Sequence, residues 1–196
     1  MQRHLNDAYV KRSKRDGYRS RAAYKLLELQ EKDHLIRPGQ VIVDLGAAPG
    51  GWLQVAQQLV GSQGVVIGID LLPIDPLPGT TLIQGDFRED EAVTALESAL
   101  AGRTIDLVIS DMAPNVSGVA AVDQPRSMYL CELALDFCRG RLRSGGGLVC
   151  KVFHGAGFDD WMRDVKSQFG RVVTRKPKAS RANSREVYLV AGNYHS

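Results

Sequence analysis

The sequence predicts a single α/β domain, built on a mostly parallel seven-stranded sheet with an antiparallel last strand pair and helices on both faces. Three observations predict it. Short apolar runs alternate with helical patterns from about residue 20 to the end, the spacing of strands joined by crossover helices. The run Val41-Ile42-Val43-Asp44-Leu45 breaks into the glycine-rich turn Gly46-Ala47-Ala48-Pro49-Gly50-Gly51 and then into a helical pattern. The last two strand-like runs are joined by a basic loop too short for a helical crossover, so they pair antiparallel.

The elements follow in order. Ser20 is placed to cap a helix through about Asp33, with Ala23, Leu26, Leu27 and Ile36 on its apolar face and Arg37-Pro38-Gly39 as its stop. Strand 41–45, helix 51–60, strand 65–70 and strand 80–84 come next, then helix 89–101 and strand 105–110. A helix over Arg126–Arg141 leads to strand 147–152, a helix around Phe158–Gln168, and strands near 171–175 and 186–191. The polar insert Val116–Pro125 reads either as a mobile loop at a cleft mouth or as a plain surface connection. No repeat or linker divides the chain, so residues 19–196 form one domain behind a basic arm at 1–18.

Composition narrows the class. A 196-residue chain with 44% hydrophobic residues builds one substantial core. No apolar run approaches the roughly 20 residues of a membrane span. The N-terminus lacks the apolar segment of a signal peptide, and Asp7 and Asp16 interrupt its basic run, against a transit peptide; a cytoplasmic location follows. Cys131, Cys138 and Cys150 sit in apolar stretches and read as buried, reduced thiols. The four histidines lack metal-ligand spacing, and His154 is either a ligand contact or a solvent-facing loop residue.

The net charge of +3 understates two basic blocks. Lys11, Arg12, Lys14, Arg15, Arg19 and Arg21 form one; Arg171, Arg175, Lys176, Lys178, Arg181 and Arg185, in a stretch without acids, form the other. Such blocks are footprints for phosphate backbones, the competing reading being a solvated tail.

The glycine turn points to a nucleoside ligand. Gly46, Gly50 and Gly51 allow close approach to backbone, and Asp70, about 20 residues on at the end of Val65-Val66-Ile67-Gly68-Ile69, stands where an acid reaches ribose hydroxyls. Ala48 replaces the second glycine of a dinucleotide site, and the lysine of a P-loop is missing. Asp44 repels a diphosphate but attracts the cationic parts of S-adenosylmethionine, which is therefore favoured over NAD; a degenerate glycine turn without a ligand is the bland alternative. Ligands in such sheets bind beyond the carboxyl ends of the strands, which also gathers Asp86 of Gln84-Gly85-Asp86-Phe87, Asp111 of Ser110-Asp111-Met112-Ala113-Pro114-Asn115, and Lys151 after Leu148-Val149-Cys150. A lysine that ends a buried strand beside carboxylates is either functional or snorkels to the surface.

These residues resemble the RrmJ/FtsJ-type bacterial 23S ribosomal RNA uridine 2′-O-methyltransferases, heat-shock enzymes with a Rossmann-like methyltransferase fold. The likeness runs from Ser20-Arg21-Ala22-Ala23-Tyr24-Lys25-Leu26 through Val43–Trp52, Ser110–Asn115 and Cys150–Gly155 to Ser180–Tyr188. It implies a catalytic tetrad of Lys25, Asp111, Lys151 and Glu186. It implies also that Gly50, Trp52, Asp70, Asp86 and Asp111 line an S-adenosylmethionine pocket, beside the Asp44 and Gly46 of the turn. Asp70 is assigned to the ribose hydroxyls and Asp86 to the adenine amino group; Trp52 contributes its backbone N–H, its ring being equally suited to core packing.

The implied reaction is in-line attack of a ribose 2′-oxygen on the methyl carbon, with orientation supplying much of the rate. Lys151 is the candidate general base. An ordinary lysine is protonated at neutral pH; Lys25 disfavours the second charge, whereas Asp111 and Glu186 favour it. The alternative is a charged Lys151 that steadies the developing alkoxide. The expected partner is 23S rRNA within the large ribosomal subunit, with no membrane, no metal and a monomeric chain. Other readings are a 2′-O-methyltransferase for transfer RNA or organellar ribosomal RNA, an NAD-dependent dehydrogenase, and a noncatalytic RNA-binding assembly factor, which has no need of the tetrad. The basic blocks carry few aromatic residues beyond Tyr9 and Tyr18, so stacking readout of base identity is not evident.

Overall fold

The structure is a computed structural model that describes residues 2–195, with side chains from Ala8 onward. Met1 of the predicted arm and Ser196 of the predicted domain lie outside the described residues. In chain order the elements are α1 (Gln2–Arg15), α2 (Ala23–Asp33), β1 (Val41–Leu45), α3 (Gly51–Val60), β2 (Val65–Asp70), β3 (Thr80–Gln84) and α4 (Asp90–Leu100). They continue with β4 (Ile105–Ser110), α5 (Ala120–Cys138), β5 (Leu142–Phe153), α6 (Phe158–Lys166), β6 (Phe169–Arg175) and β7 (Glu186–Tyr194).

The seven strands form one sheet in the order β3-β2-β1-β4-β5-β7-β6. β1 through β5 pair in parallel, and β7 lies antiparallel to both β5 and β6. From β1 the chain runs outward through β2 to β3, then returns to β4 on the other side of β1. The carboxyl ends of β1 and β4 therefore flank the point where strand order reverses, the place where such sheets open a ligand crevice.

Strand alternation divides the core. Val43, Leu45, Leu148, Cys150, Leu189 and Ala191 pack with Leu96 of α4, Leu135 of α5 and Trp161 of α6 on one face. Ile42, Leu107, Ile109, Val149, Tyr188 and Val190 pack with Leu26 and Leu29 of α2 and Leu53 of α3 on the other. All three cysteines are buried free thiols. No helix among the described residues is long and apolar enough to cross a membrane.

Several boundaries differ from the sequence expectation. The basic arm is helical over Gln2–Arg15 and docked: Ser13 is buried, and the ring of Tyr24 lies 5.7 Å from that of Tyr9 and 5.6 Å from that of Tyr18. A solvated tail does not describe it. Ser20 does not cap α2; Ala22 stands at the N-cap without a side-chain bond, and left-handed His34 closes the helix three residues before Arg37-Pro38-Gly39. α5 starts at Ala120, not Arg126, and ends at Cys138, not Arg141. Asp123 explains the early start: its carboxylate accepts the N–H groups of Ser117 and Gly118 and the Ser117 hydroxyl, pinning the entry. Only the first part of the expected loop 116–125 is a loop, and Pro125 lies inside the helix. β5 begins at Leu142, reaching across a register shift opposite β4, and β7 continues to Tyr194.

Candidate active site

The same alternation that builds the core aims the polar residues. Asp111 continues the face of Leu107 and Ile109, Lys151 that of Val149, and Glu186 and Tyr188 that of Val190, so all four address the side covered by α2 and α3. α2 brings Lys25 from above. The result is a compact cluster. Lys25 Nζ lies 2.8 Å from Glu186 Oε1. Lys151 Nζ donates to the backbone oxygen of Asp111 at 2.7 Å and lies 3.2 Å from its Oδ1. The four residues predicted as a tetrad are thus brought together as two ion pairs.

Tyr188 joins them. Its hydroxyl donates to Asp111 Oδ1 at 2.5 Å, its ring lies 5.5 Å from Lys25 Nζ, and it faces Lys151 across the β5–β7 register. Sequence reasoning missed Tyr188 even though it lies within Ser-Arg-Glu-Val-Tyr. The signal was available: two residues past Glu186 on a strand is the same face. Burial pushes the Tyr188 hydroxyl well above its ordinary pKa, reinforced by the negative charges of Asp111 and Glu186, so Tyr188 remains a donor and holds Asp111 in place.

Glu186 experiences opposing effects. Burial pushes its carboxyl up, but the charge and hydrogen bond of Lys25, with the charge of Lys151, outweigh burial and hold it below the ordinary carboxylate value. Only about a tenth of each side chain of the Lys25–Glu186 pair is exposed. Replacing Glu186 with alanine leaves Lys25 enclosed without its partner, and the expected loss is about 3–5 kcal/mol, measured by urea unfolding at neutral pH. Because the folded value is depressed, the stabilisation is present above the unfolded carboxyl pKa of about 4.3. It fades as pH falls through the lower folded value. The stability gap between the native protein and Glu186→Gln should shrink on that acid limb.

The second half of the site lies at the carboxyl ends of β1 and β2. Asp44 is 1% exposed, and its Oδ2 has no hydrogen-bond partner among the described residues. Burial pushes its carboxyl well above the ordinary value, and Asp111 and Asp70 push it further. Asp70 accepts the N–H of Ala48 at 2.9 Å and of Leu72 at 2.8 Å, one on each oxygen, which leaves lone pairs on both. An unpartnered buried carboxylate next to a half-occupied one fits a cationic, ribose-bearing ligand. Gly50 is the N-cap of α3 at φ 112°, and the Ala48–Pro49 peptide is cis.

Three predicted contacts carry more detail than the sequence suggested. The space a Cβ would need at Gly46 is filled by Met112, at Gly50 by the Arg19 guanidinium, and at Gly51 by the Ser20 hydroxyl; on that side the glycines admit protein side chains, not a ligand. The Trp52 ring is core packing: its Nε1 donates to the Ala22 carbonyl at 2.8 Å and its ring lies 5.8 Å from that of Tyr188. Both oxygens of Asp86 are taken by Arg88, which also donates to the Tyr129 hydroxyl at 2.8 Å. An adenine amino group reaches Asp86 only with the Arg88 fork displaced.

Beside the tetrad opens a cavity of about 980 Å³, lined by Lys25, Lys151 and Glu186, by Tyr9 of α1, by Arg21 from the N-terminal block, and by Lys178 and Arg181 from the late block. Both basic blocks therefore reach the cleft, but not all their members do. Arg171 and Arg175 are bound to Asp33, whose side chain is fully enclosed; Lys176 donates to the carbonyls of Ser184 and Glu186; and Arg19 holds three backbone carbonyls. These residues shape the fold. Counting charges along the sequence shows sign but not partners. His154 is exposed, its ring 4.4 Å from that of Phe158.

A strand-order reversal bearing the glycine turn, Asp44 and Asp70, next to a buried lysine–carboxylate cluster, defines a Rossmann-type methyltransferase. The chain belongs to the FtsJ-like methyltransferase family, whose profile matches residues 18–194. Over 191 residues it is 60% identical to the ribosomal RNA large subunit methyltransferase E of Alkalilimnicola ehrlichii, covering 97% of this chain and 91% of that one. A protein of the same name from Azoarcus sp. strain BH72 is 60% identical over 190 residues, or 97% and 93% of the two chains. Among solved structures, one described as a ribosomal RNA methyltransferase from Plasmodium falciparum superposes with a TM-score of 0.80 at 33% identity, over 90% of this chain and 98% of that one.

Proposed function

We propose that the protein methylates the ribose 2′-hydroxyl of a uridine in 23S rRNA of the large ribosomal subunit, using S-adenosylmethionine, in the cytoplasm and as a monomer. The observation that carries this reading is the paired amines Lys25 and Lys151, held by Glu186 and Asp111 at the floor of a basic-lined cavity of nucleotide size. The names of the relatives at 60% identity support the substrate.

When bound, S-adenosylmethionine supplies a methyl group on a positively charged sulfur. The residues that fit it are Asp44 and Asp70, the turn at Gly46 and Gly50, the backbone N–H of Trp52, and Asp86 once Arg88 yields. Lys151 is placed to take the 2′-hydroxyl proton or to steady the alkoxide. Asp111, held by Tyr188 and by Lys151 itself, fixes the Lys151 amine at the strand end. Lys25, neutralised by Glu186, lines the cavity next to it and orients the ribose. The arm 1–18 supplies the basic wall of the RNA surface, and the domain 19–196 supplies the chemistry.

The test is transfer of labelled methyl from S-adenosylmethionine to purified large subunits lacking their native 2′-O-methylation. Label on a single uridine ribose is the expected result. Absence of label on subunits, with label on transfer RNA, would redirect the substrate assignment. RNA affinity should fall steeply with salt, with a slope set by the phosphates contacted. Because Arg19, Arg171, Arg175 and Lys176 are committed to internal bonds, alanine at Lys178 or Arg181 should flatten that slope, whereas alanine at Arg171 should not. Titrations at several salt concentrations check both.

A further inference from the structure

We infer that Arg19 is a positioning residue for the cofactor site, not a phosphate contact. Its place in the sequence, amid Lys11, Arg12, Lys14, Arg15 and Arg21, suggests RNA binding; its bonds do not. Nη1 donates to the Asp75 carbonyl at 2.7 Å and to the Pro49 carbonyl at 3.3 Å, and Nη2 donates to the Pro76 carbonyl at 2.7 Å. Pro49 belongs to the turn after β1, and Asp75 and Pro76 to the loop between β2 and β3. One rigid guanidinium fork therefore ties together the two loops that carry Gly46 and Gly50 on one side and follow Asp70 on the other.

The clamp is itself anchored. The Arg19 backbone N–H donates to Gln54 Oε1 at 2.8 Å, and Gln54 Nε2 donates to the Gly17 carbonyl at 3.0 Å, so the segment is fastened to α3, whose first turn the glycines open. A Cβ on Gly50 would lie 3.0 Å from Arg19 Nη1; the absence of a side chain at Gly50 is what lets the guanidinium reach the turn. The loop it holds needs such a tie, because residues 71–79 contain neither helix nor strand and expose Leu71 and Leu72. Its three guanidinium bonds, to Pro49, Asp75 and Pro76, all end on backbone carbonyls, so the fork grips main chain and leaves the carboxylates of the site to other partners. Lysine is a poor substitute, since a single ammonium lacks the planar fork that spans two loops.

The inference rests on the reading that S-adenosylmethionine binds at this turn, and calorimetry on the full chain without RNA separates the two. Binding by the native protein, with Arg19→Ala raising the Kd for S-adenosylmethionine about tenfold, is the expected result. Arg19→Lys should recover only part of that affinity. In turnover, the cofactor KM should rise with Kd while kcat at saturating cofactor stays within about twofold of native, and the salt slope of RNA binding should be unchanged. Arg175→Ala, which breaks an equally internal clamp far from the turn, should leave cofactor Kd unmoved and so excludes a general loss of stability as the cause. An Arg19→Ala protein that binds cofactor like the native one overturns the inference, as does a lowered salt slope with unchanged cofactor affinity. A native protein that fails to bind S-adenosylmethionine overturns the cofactor reading itself.

Discussion

Lys151→Ala is expected to slow single-turnover methyl transfer by about 10²–10⁴-fold, the range a positioned acid or base contributes, while cofactor affinity stays near native. The separation of the two effects follows from how Asp111 is held. Lys151 Nζ bonds the Asp111 carbonyl and approaches Oδ1, but Oδ1 also receives the Tyr188 hydroxyl at 2.5 Å, so removing the amine leaves the carboxylate fastened. Rapid-quench measurement of one methyl transfer, next to calorimetric titration with S-adenosylmethionine, reads both. A variant with a near-native single-turnover rate would remove Lys151 from the mechanism. Lys151→Arg then separates its two roles: a guanidinium retains the charge but cannot accept a proton. A base role requires that variant to be as slow as the alanine, whereas an alkoxide-steadying role lets it recover part of the rate.

The two roles also differ in what Tyr188 does. For a base role the lone pair must face the hydroxyl, and the two contacts of the amine with Asp111, itself held by Tyr188, would leave it free to do so. Tyr188→Phe removes that restraint while keeping the ring against Trp52. If orientation of the amine matters, the rate should fall about tenfold, the scale of one hydrogen bond to a charged group, with folding retained; equal rates would mean that Lys151 and the backbone hold Asp111 alone.

Much of this arrangement was legible because strand periodicity is local. Short apolar runs between helical patterns mark all seven strands, and the rule that ligands sit beyond carboxyl ends gathers Asp44, Asp70, Asp86, Asp111 and Lys151 from the sequence alone. Glu186 and Lys25 came from resemblance, since nothing local says that residues 161 apart in sequence form a 2.8 Å pair. What stayed illegible depends on tertiary partners. α1 reads as a charged arm along the sequence, and its contact with the domain, the Tyr9 ring beside that of Tyr24 and the buried Ser13, is tertiary. Pro125 reads as a boundary, yet the Asp123 carboxylate organises the turn before it and carries the helix through. The basic blocks read as one kind of surface, whereas Arg19, Arg171, Arg175 and Lys176 are fold clamps whose partners are carbonyls and one enclosed carboxylate.

Asp44→Asn is expected to make the cofactor-free protein more stable and the cofactor weaker at once. Asp44 Oδ2 is buried without a hydrogen-bond partner among the described residues, and its carboxyl is raised well above the ordinary value by burial, then by Asp111 and Asp70. A raised folded value means that the favourable, protonated form dominates below the unfolded pKa and is lost as pH rises through the folded one, so the site works against folding in neutral solution. An amide of the same shape removes that cost, and a gain of about 1–3 kcal/mol in unfolding free energy at neutral pH is expected, shrinking as the native protein is acidified. The same exchange deletes the charge proposed to meet the cationic cofactor, so the Kd for S-adenosylmethionine should rise about 10–100-fold. S-adenosylhomocysteine shares the amino-acid ammonium but lacks the sulfonium charge. A larger loss for S-adenosylmethionine than for S-adenosylhomocysteine would place Asp44 against the sulfur; equal losses would place it against the ammonium. A stabilised variant with native affinity for both would mean that the buried carboxylate does not meet the ligand's charge.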